Sequence, residues 1–248
     1  MKLTITVILF IFSLGILQGQ NQQDTLKIND ELYLIRLTNN SWIHVSYLNG
    51  FECNGLIFVN NQKAFLFDTP SYDSVTVVLT SYIQNTMGLE IVGFVTNDWH
   101  IDSQGGLEII KKLGIPSYSN EMTREIAKIK GLPYTSEGFR DSLTINFENT
   151  ELELYYFGAA HTMDNIVAWI PSEKILFASC MVKELSQNNL VFTGDGDLHQ
   201  YPKTLLKVYN KFSEAKYVIP GHGKFGGYDL VKHTLDISLK LNEKQAIK

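Results

Sequence analysis

The sequence predicts an α+β fold in which two sheets pack face to face and helices cover both outer sides. Strand-like runs come in hairpin clusters rather than in strict alternation with helices, which argues against a doubly wound sheet. A strands-then-helix pattern occurs twice, and this coarse likeness of the halves hints at an ancient duplication, although no short-period repeat is present. No linker separates the halves, and 248 residues with 44% hydrophobic and 19% charged content suit one large domain.

The first element lies outside that domain. Lys2, the apolar run Leu3 to Leu17 and the polar "QGQNQQ" describe a secretory signal peptide, expected to span residues 1–20 and to be cut near Gly19 or Gln20. No cysteine follows the apolar run, which disfavours a lipid anchor. The mature domain, 21–248, is therefore expected in the periplasm or outside the cell, free of the membrane after cleavage.

From Leu26 to Asp68, "LYLIRLT", "SWIHVSYL", "NGLIFVN" and "AFLFD" are separated by "NN", "NG" and "NNQ", which reads as an antiparallel meander. A helix with Val75, Val78, Leu79 and Tyr82 on one face follows, then the buried-type strand "IVGFVT". That strand runs into "NDWHIDSQGG", so Asp98 to Asp102 are expected in a loop at its carboxyl end. Next come a helix from about Gln104 to Lys112, a short strand near Ser117, a helix opened by Asn120 and ended by Gly131, and the hairpin "SLTINFENTELELYYF". His161 sits just past this hairpin. The strands "NIVAWI" and "KILFA" lead to Cys180, a helix begins at Pro202, "YVIPGHG" places His222 after a last strand, and a helix closes the chain.

Composition excludes some functions. A net charge of -5 and a pI near 5.7 give no basic footprint for nucleic acid. There are two cysteines, Cys53 and Cys180, so an exported chain has one disulfide at most; Cys53 is read as a buried free thiol.

Asp98, His100 and Asp102 stand at alternate positions, where two carboxylates repel unless a cation lies between them. His161, Cys180 and His222 likewise follow strand ends, and strand ends on one edge of packed sheets converge. Six donors suffice for two metal positions. Imidazole, thiolate and carboxylate together suit zinc better than magnesium or calcium, which prefer all-oxygen shells. Taken singly, each of these residues is more ordinary than that: a lone histidine is usually a structural residue, and Cys180 after "KILFAS" could be a small core hydrophobe.

Their order changes the reading. "DWHIDSQGG", "GAAHTMDN", "ASCMVK" and "PGHG" together resemble the metallo-β-lactamase superfamily, in particular the class B β-lactamases of the first, cysteine-using subclass, over nearly the whole mature chain. The resemblance implies a four-layer αβ/βα sandwich with a dinuclear zinc site in the groove between its halves. It aligns Asp98, His100 and His161 with the first zinc, Asp102, Cys180 and His222 with the second, and Lys183 with the residue that binds the substrate carboxylate. Ser103 and Cys180 match the lactamase branch, where glyoxalase-like thioesterases carry histidine and aspartate. Asp68, ending "FLFDTP", resembles the family's buried aspartate beneath the metal loop. The implied activity is hydrolysis of the β-lactam ring of carbapenems, cephalosporins and penicillins by water activated on zinc, by a monomer, with Asp102 orienting the attack and Asn189 near the oxyanion.

The chain departs from the pattern at three places. Asp98 stands where the family normally has histidine; two Zn²⁺ against Asp98, Asp102, a Cys180 thiolate and one hydroxide then sum to zero, where histidine would leave one positive charge. That predicts a slower or more selective hydrolase, and a single zinc if the shorter carboxylate does not ligate. Val191 and Phe192 replace the glycine and asparagine often found after Asn189, and "SYLNGFECNG" leaves a short hairpin loop over the site. The alternatives are another metallohydrolase on the same scaffold, acting on a lactone, thioester or phosphoester, and an exported zinc-binding protein with a decayed site. His44, His199 and His233 are read as structural or surface residues.

Overall fold

The computed structural model describes residues 24–246, with side chains to 243, so the expected signal peptide lies outside the described residues. Eight strands form the first sheet in chain order: β1 (Thr25–Lys27), β2 (Leu32–Arg36), β3 (Ser41–Leu48), β4 (Phe51–Asn60), β5 (Lys63–Phe67), β6 (Glu90–Val95), β7 (Ser117–Asn120) and β8 (Glu137–Phe139). The predicted meander is present: β1 to β5 pair antiparallel. From β5 to β8 the pairing is parallel, because helices carry the chain back between strands. The second sheet has the order β13-β12-β11-β10-β9, with β9 (Ser142–Phe147), β10 (Thr150–Tyr155), β11 (Val167–Ile170), β12 (Ile175–Ser179) and β13 (Tyr217–Pro220). Only β12 and β13 run parallel in it.

Three apolar cores make the layers. Between the sheets, Leu56, Phe58, Phe65 and Phe67 meet Leu152, Leu154, Ala168 and Phe177. On the far side of the first sheet, Leu34, Ile57, Leu66 and Phe94 pack on Val75 and Leu79 of α1 (Asp73–Ser81) and on Leu107 and Ile110 of α3 (Leu107–Lys112); the four-residue α2 (Ile101–Gln104) precedes α3. The second sheet presents Trp169, Leu176 and Val218 to Leu205 and Val208 of α5 (Tyr201–Lys211) and to Leu230, Val231 and Leu235 of α6 (Asp229–Ala246). The result is the expected sandwich of helix, sheet, sheet and helix.

Local chemistry sets several boundaries. Asn120 caps α4 (Glu121–Ile129) by accepting the Met122 N–H at 2.9 Å. Pro202 sits in the first turn of α5, which begins at Tyr201, one residue before the position expected. Asn49 and Gly50 both have positive φ, 50° and 84°, the requirement of a tight two-residue hairpin turn between β3 and β4. The helix expected from about Gln104 to Lys112 is α3, which begins at Leu107, and the short α2, which was not expected, precedes it and ends at Gln104. Gly105 and Gly106 divide them, and a Cβ on either would stand within 2.2 Å of the Ser71 carbonyl or the Thr76 side chain.

His44 of β3 is structural, as expected. It is 1% exposed and its Nε2 lies 3.2 Å from the Asp68 carbonyl, opposite Gly55, where a Cβ would clash with the ring. Burial holds this imidazole down at about 4. The unfolded chain protonates His44 below its ordinary value of 6.5, whereas the folded chain does so only near 4. This group therefore removes roughly 3 kcal/mol of stability as pH falls from 6.5 to 4. Asp68, raised by burial, contributes the opposite slope. Urea midpoints of metal-free protein against pH should fall less steeply in this window for His44→Gln than for the natural chain.

Candidate metal centre

The loop after β6 is fixed by hydrogen bonds before any metal enters. The Asn97 N–H donates to Asp68 Oδ1 at 2.8 Å, and Asn97 Nδ2 donates to the Ile166 carbonyl at 2.9 Å. Thr96 Oγ1 donates to the Asp98 carbonyl at 2.8 Å, and the His100 N–H donates to Asp98 Oδ1 at 3.0 Å. These bonds aim Asp98 inward, where it is 1% exposed, and leave its second oxygen for another partner. Asp102 lies in the first turn of α2 rather than in the loop.

The other donors are held in the same way. Asn165 of "HTMDN" accepts the Thr162 N–H at 2.9 Å and donates to the Gly158 carbonyl at 3.0 Å, closing the turn that presents His161. Cys180 follows β12, and a Cβ on Gly221 would stand 2.4 Å from its sulfur, so only glycine lets the two segments approach. Asn54 grips the last loop, donating to the Pro220 and Gly223 carbonyls at 2.9 and 2.8 Å. The His222 Nδ1 lies 2.6 Å from the Glu52 carbonyl, which fixes the tautomer with Nδ1–H and turns the Nε2 lone pair toward the site.

Two clusters result. Ligand atoms of Asp98, His100 and His161 all lie within 4.8 Å of one another. The Cys180 sulfur lies 3.5 Å from Asp102 Oδ2 and 3.4 Å from His222 Nε2, and those two are 3.1 Å apart. Both cysteines are free thiols.

The electrostatics fit a bound cation. Burial, with the Asp164 and Asp102 carboxylates adding to it, lifts Asp98 to about 7. Burial and the Asp102 charge push the Cys180 thiol up to about 12, so it is not a thiolate on its own. Burial, reinforced by Lys183, holds His161 neutral, as a ligand must be, and its buried Nδ1 has no hydrogen-bond partner. Burial alone would raise Asp102, but the His222 ring outweighs it and holds the carboxyl down. A divalent ion among these donors would ionise the thiol and stabilise both carboxylates, so the residues suit a divalent metal.

Above the clusters opens a cleft of about 610 Å³, lined by His100, Asp102, His161, Lys183 and His222 with walls of Trp99, Ile101, Leu132, Val191 and Phe192. A smaller hollow of about 290 Å³ continues beneath the hairpin tip, bounded by Leu48 and Phe51. Lys183 is buried, with its Nζ donating to the Cys180 carbonyl at 2.8 Å. Asn189 lies elsewhere: it is exposed, lines neither hollow, and its Oδ1 accepts the Val191 N–H at 2.8 Å. That bond steadies Val191 at φ 61°, a strained backbone for a β-branched residue, and directs Phe192 to within 5.8 Å of the His100 ring.

Sequence reasoning missed Asp195, whose Oδ2 lies 3.0 Å from His100 Nε2. Nothing in "TGDGD" signals a partnership reaching across 95 residues. Asp68 has the expected place: besides Asn97 it accepts from Ser179 Oγ at 2.8 Å, beside Cys180. Gly221→Ala, which drives a methyl into Cys180, should cost the protein the metal held by Asp102, Cys180 and His222, read as metal per chain by elemental analysis with the fold intact by circular dichroism.

No family model matches the chain. It is 38% identical over 242 residues to a metallo-β-lactamase type 2 of Bacteroides fragilis, covering 96% of each chain. A metallo-β-lactamase type 2 of Pseudomonas aeruginosa is 32% identical over 215 residues, 85% of each. Among solved structures, the metallo-β-lactamase from Pontibacter korlensis superposes with a TM-score of 0.81 at 31% identity, over 84% of this chain and 99% of that one. The DIM-1 metallo-β-lactamase gives 0.81 at 32%, over 85% and 98%.

Proposed function

Because the chain belongs to the class B metallo-β-lactamases, we propose that it hydrolyses the β-lactam ring of carbapenems, cephalosporins and penicillins with two zinc ions. One observation carries this reading: donors from four distant segments gather in and beneath a single cleft, with His100, Asp102, His161, His222 and Lys183 lining it and Asp98 and Cys180 buried below. Asp98, His100 and His161 would hold one ion, and Asp102, Cys180 and His222 the other; thiolate and imidazole in the set favour zinc. Bound zinc supplies Lewis acidity and activates water at neutral pH.

The remaining work falls to the chain. Asp102 faces the cleft and has its carboxylate fixed by His222, so it can accept a hydrogen bond from the attacking water and orient it toward the carbonyl. The Lys183 ammonium, tethered by the Cys180 carbonyl, keeps further N–H donors for the substrate carboxylate. Trp99, Ile101, Val191 and Phe192 exclude water from the faces of the bound ring system.

Turnover of a carbapenem and a cephalosporin, followed by loss of ring absorbance, should appear with zinc and vanish with chelator; zinc-loaded protein inert toward both would overturn the proposal. Lys183→Gln should lower kcat/KM roughly ten- to a hundred-fold, mostly through KM, the worth of one charge-assisted hydrogen bond. Asp98→His restores a positive charge to the metal cluster and should raise kcat. An unchanged rate at equal zinc content would show that Asp98 does not set the charge of the reacting site.

A further inference from the structure

Cys53 is 3% exposed, yet it belongs to none of the three apolar cores. Its surroundings are polar. The sulfur lies within 4.8 Å of ligand atoms of both Asp102 and His222, the thiol donates to the Phe51 carbonyl at 3.7 Å, and Ser71 Oγ points at the sulfur from 4.0 Å. A small side chain placed only to fill space would be expected among hydrocarbon.

The backbone explains the placement. Cys53 sits in β4 between Glu52, whose carbonyl accepts from His222 Nδ1, and Asn54, which bonds the Pro220, Gly221 and Gly223 segment through both backbone and side chain. The strand that positions His222 therefore carries the thiol to the same point. Cys180 approaches Asp102 and His222 from β12 in the other sheet.

We propose that Cys53 is a second thiolate donor at the metal position of Asp102, Cys180 and His222, giving that position four protein ligands drawn from both sheets. The inference rests on the metal-binding reading above, but not on the substrate. Each thiol that binds releases one proton to solvent and forms one sulfur–metal bond; no oxidant is involved. Two thiolates make the position soft and closed, the character of a retentive site, whereas Asp98, His100 and His161 leave an open coordination place. The thiolate position should then fill first.

Cobalt(II) is the probe, since its thiolate charge-transfer band grows with the number of sulfurs bound. With one equivalent of cobalt(II) the metal-free chain should reach the full band. Cys53→Ser and Cys53→Ala should each show about half that intensity, and Cys180→Ser should retain about half. A wild-type band in the folded Cys53 variants, or complete loss of the band in Cys180→Ser, would overturn the proposal. If the Cys53 variants do not fold, the Cys180→Ser band alone decides it: half height supports a second thiolate and no band refutes it. Because the band is read without β-lactam, an inert enzyme with two bound sulfurs refutes only the proposed substrate, and an active enzyme with one refutes only the second thiolate.

Discussion

A single buried carboxylate ties the two sheets together at the edge where the site forms. Asp68 follows β5 of the first sheet, accepts the Asn97 N–H of the loop after β6, and accepts a hydrogen bond from Ser179 Oγ at the end of β12 in the second sheet. Its own carbonyl lies against the His44 ring. Through these bonds Asp68 spaces Asp98 and His100 from Cys180, and the Asn97 bond to Ile166 and the Asn54 bonds to Pro220 and Gly223 hold the same edge. The arrangement is strained: Asp68 and Ser179 adopt φ of 53° and 46°. Such residues cost on the order of 1–3 kcal/mol each and persist only where surrounding bonds over-determine them. Those bonds are also what makes burial of the carboxyl tolerable, since a polar group taken from water needs partners.

What Asp68 spaces, a cation must hold together. In the metal-free chain Asp98 is driven up toward neutrality and Cys180 keeps its proton, while His222, with His100 and His161 adding to it, holds the Asp102 carboxyl down. The polypeptide thus supplies donors but not the positive charge that would make them attract. A divalent ion among these donors would supply that charge, ionising Asp98 and the thiol and drawing both toward it together with Asp102. The loops are already tied by hydrogen bonds, so a bound ion would add to their stability mainly by offsetting the cost of keeping these donors buried.

The sheets were legible because their strands alternate or repeat apolar residues between strong turn signals, as at Asn49-Gly50, and Asn120 announced its helix by its own chemistry. The π-helical turn at Tyr82–Thr86 was not, because it continues the apolar face of α1 without a break. Nor was the division of α2 from α3, which depends on how closely Ser71 and Thr76 approach the glycine pair. At the site, the sequence named the six donors and Lys183 from four motifs in a recognisable order, and the fold brings those donors together in two clusters. Asp195 and Cys53 could not be found in that way: their partners lie far off in sequence, and only the folded sheets bring them near. Asn189, expected near the oxyanion, is exposed here, and its amide oxygen closes the turn that Val191 needs.

The same turn shows how this centre balances its weak charge. On the function proposed above, Asp98 in place of an imidazole would leave a bound metal cluster less attractive to an anionic substrate, and a Cys53 thiolate would lower that attraction again. Around the mouth, however, Ile101, Val191 and Phe192 are 50%, 65% and 52% exposed, and Phe51 at the hairpin tip is 72% exposed. Fully covering a side chain of this size is worth about 1.5–3 kcal/mol, so covering half of two or three of them contributes on the order of 3 kcal/mol. That matches the worth of one or two charge-assisted hydrogen bonds. The strain held at Val191 makes sense in these terms: it keeps an apolar wall standing open to water, and on the proposed function that wall would give a ligand affinity by contact more than by charge.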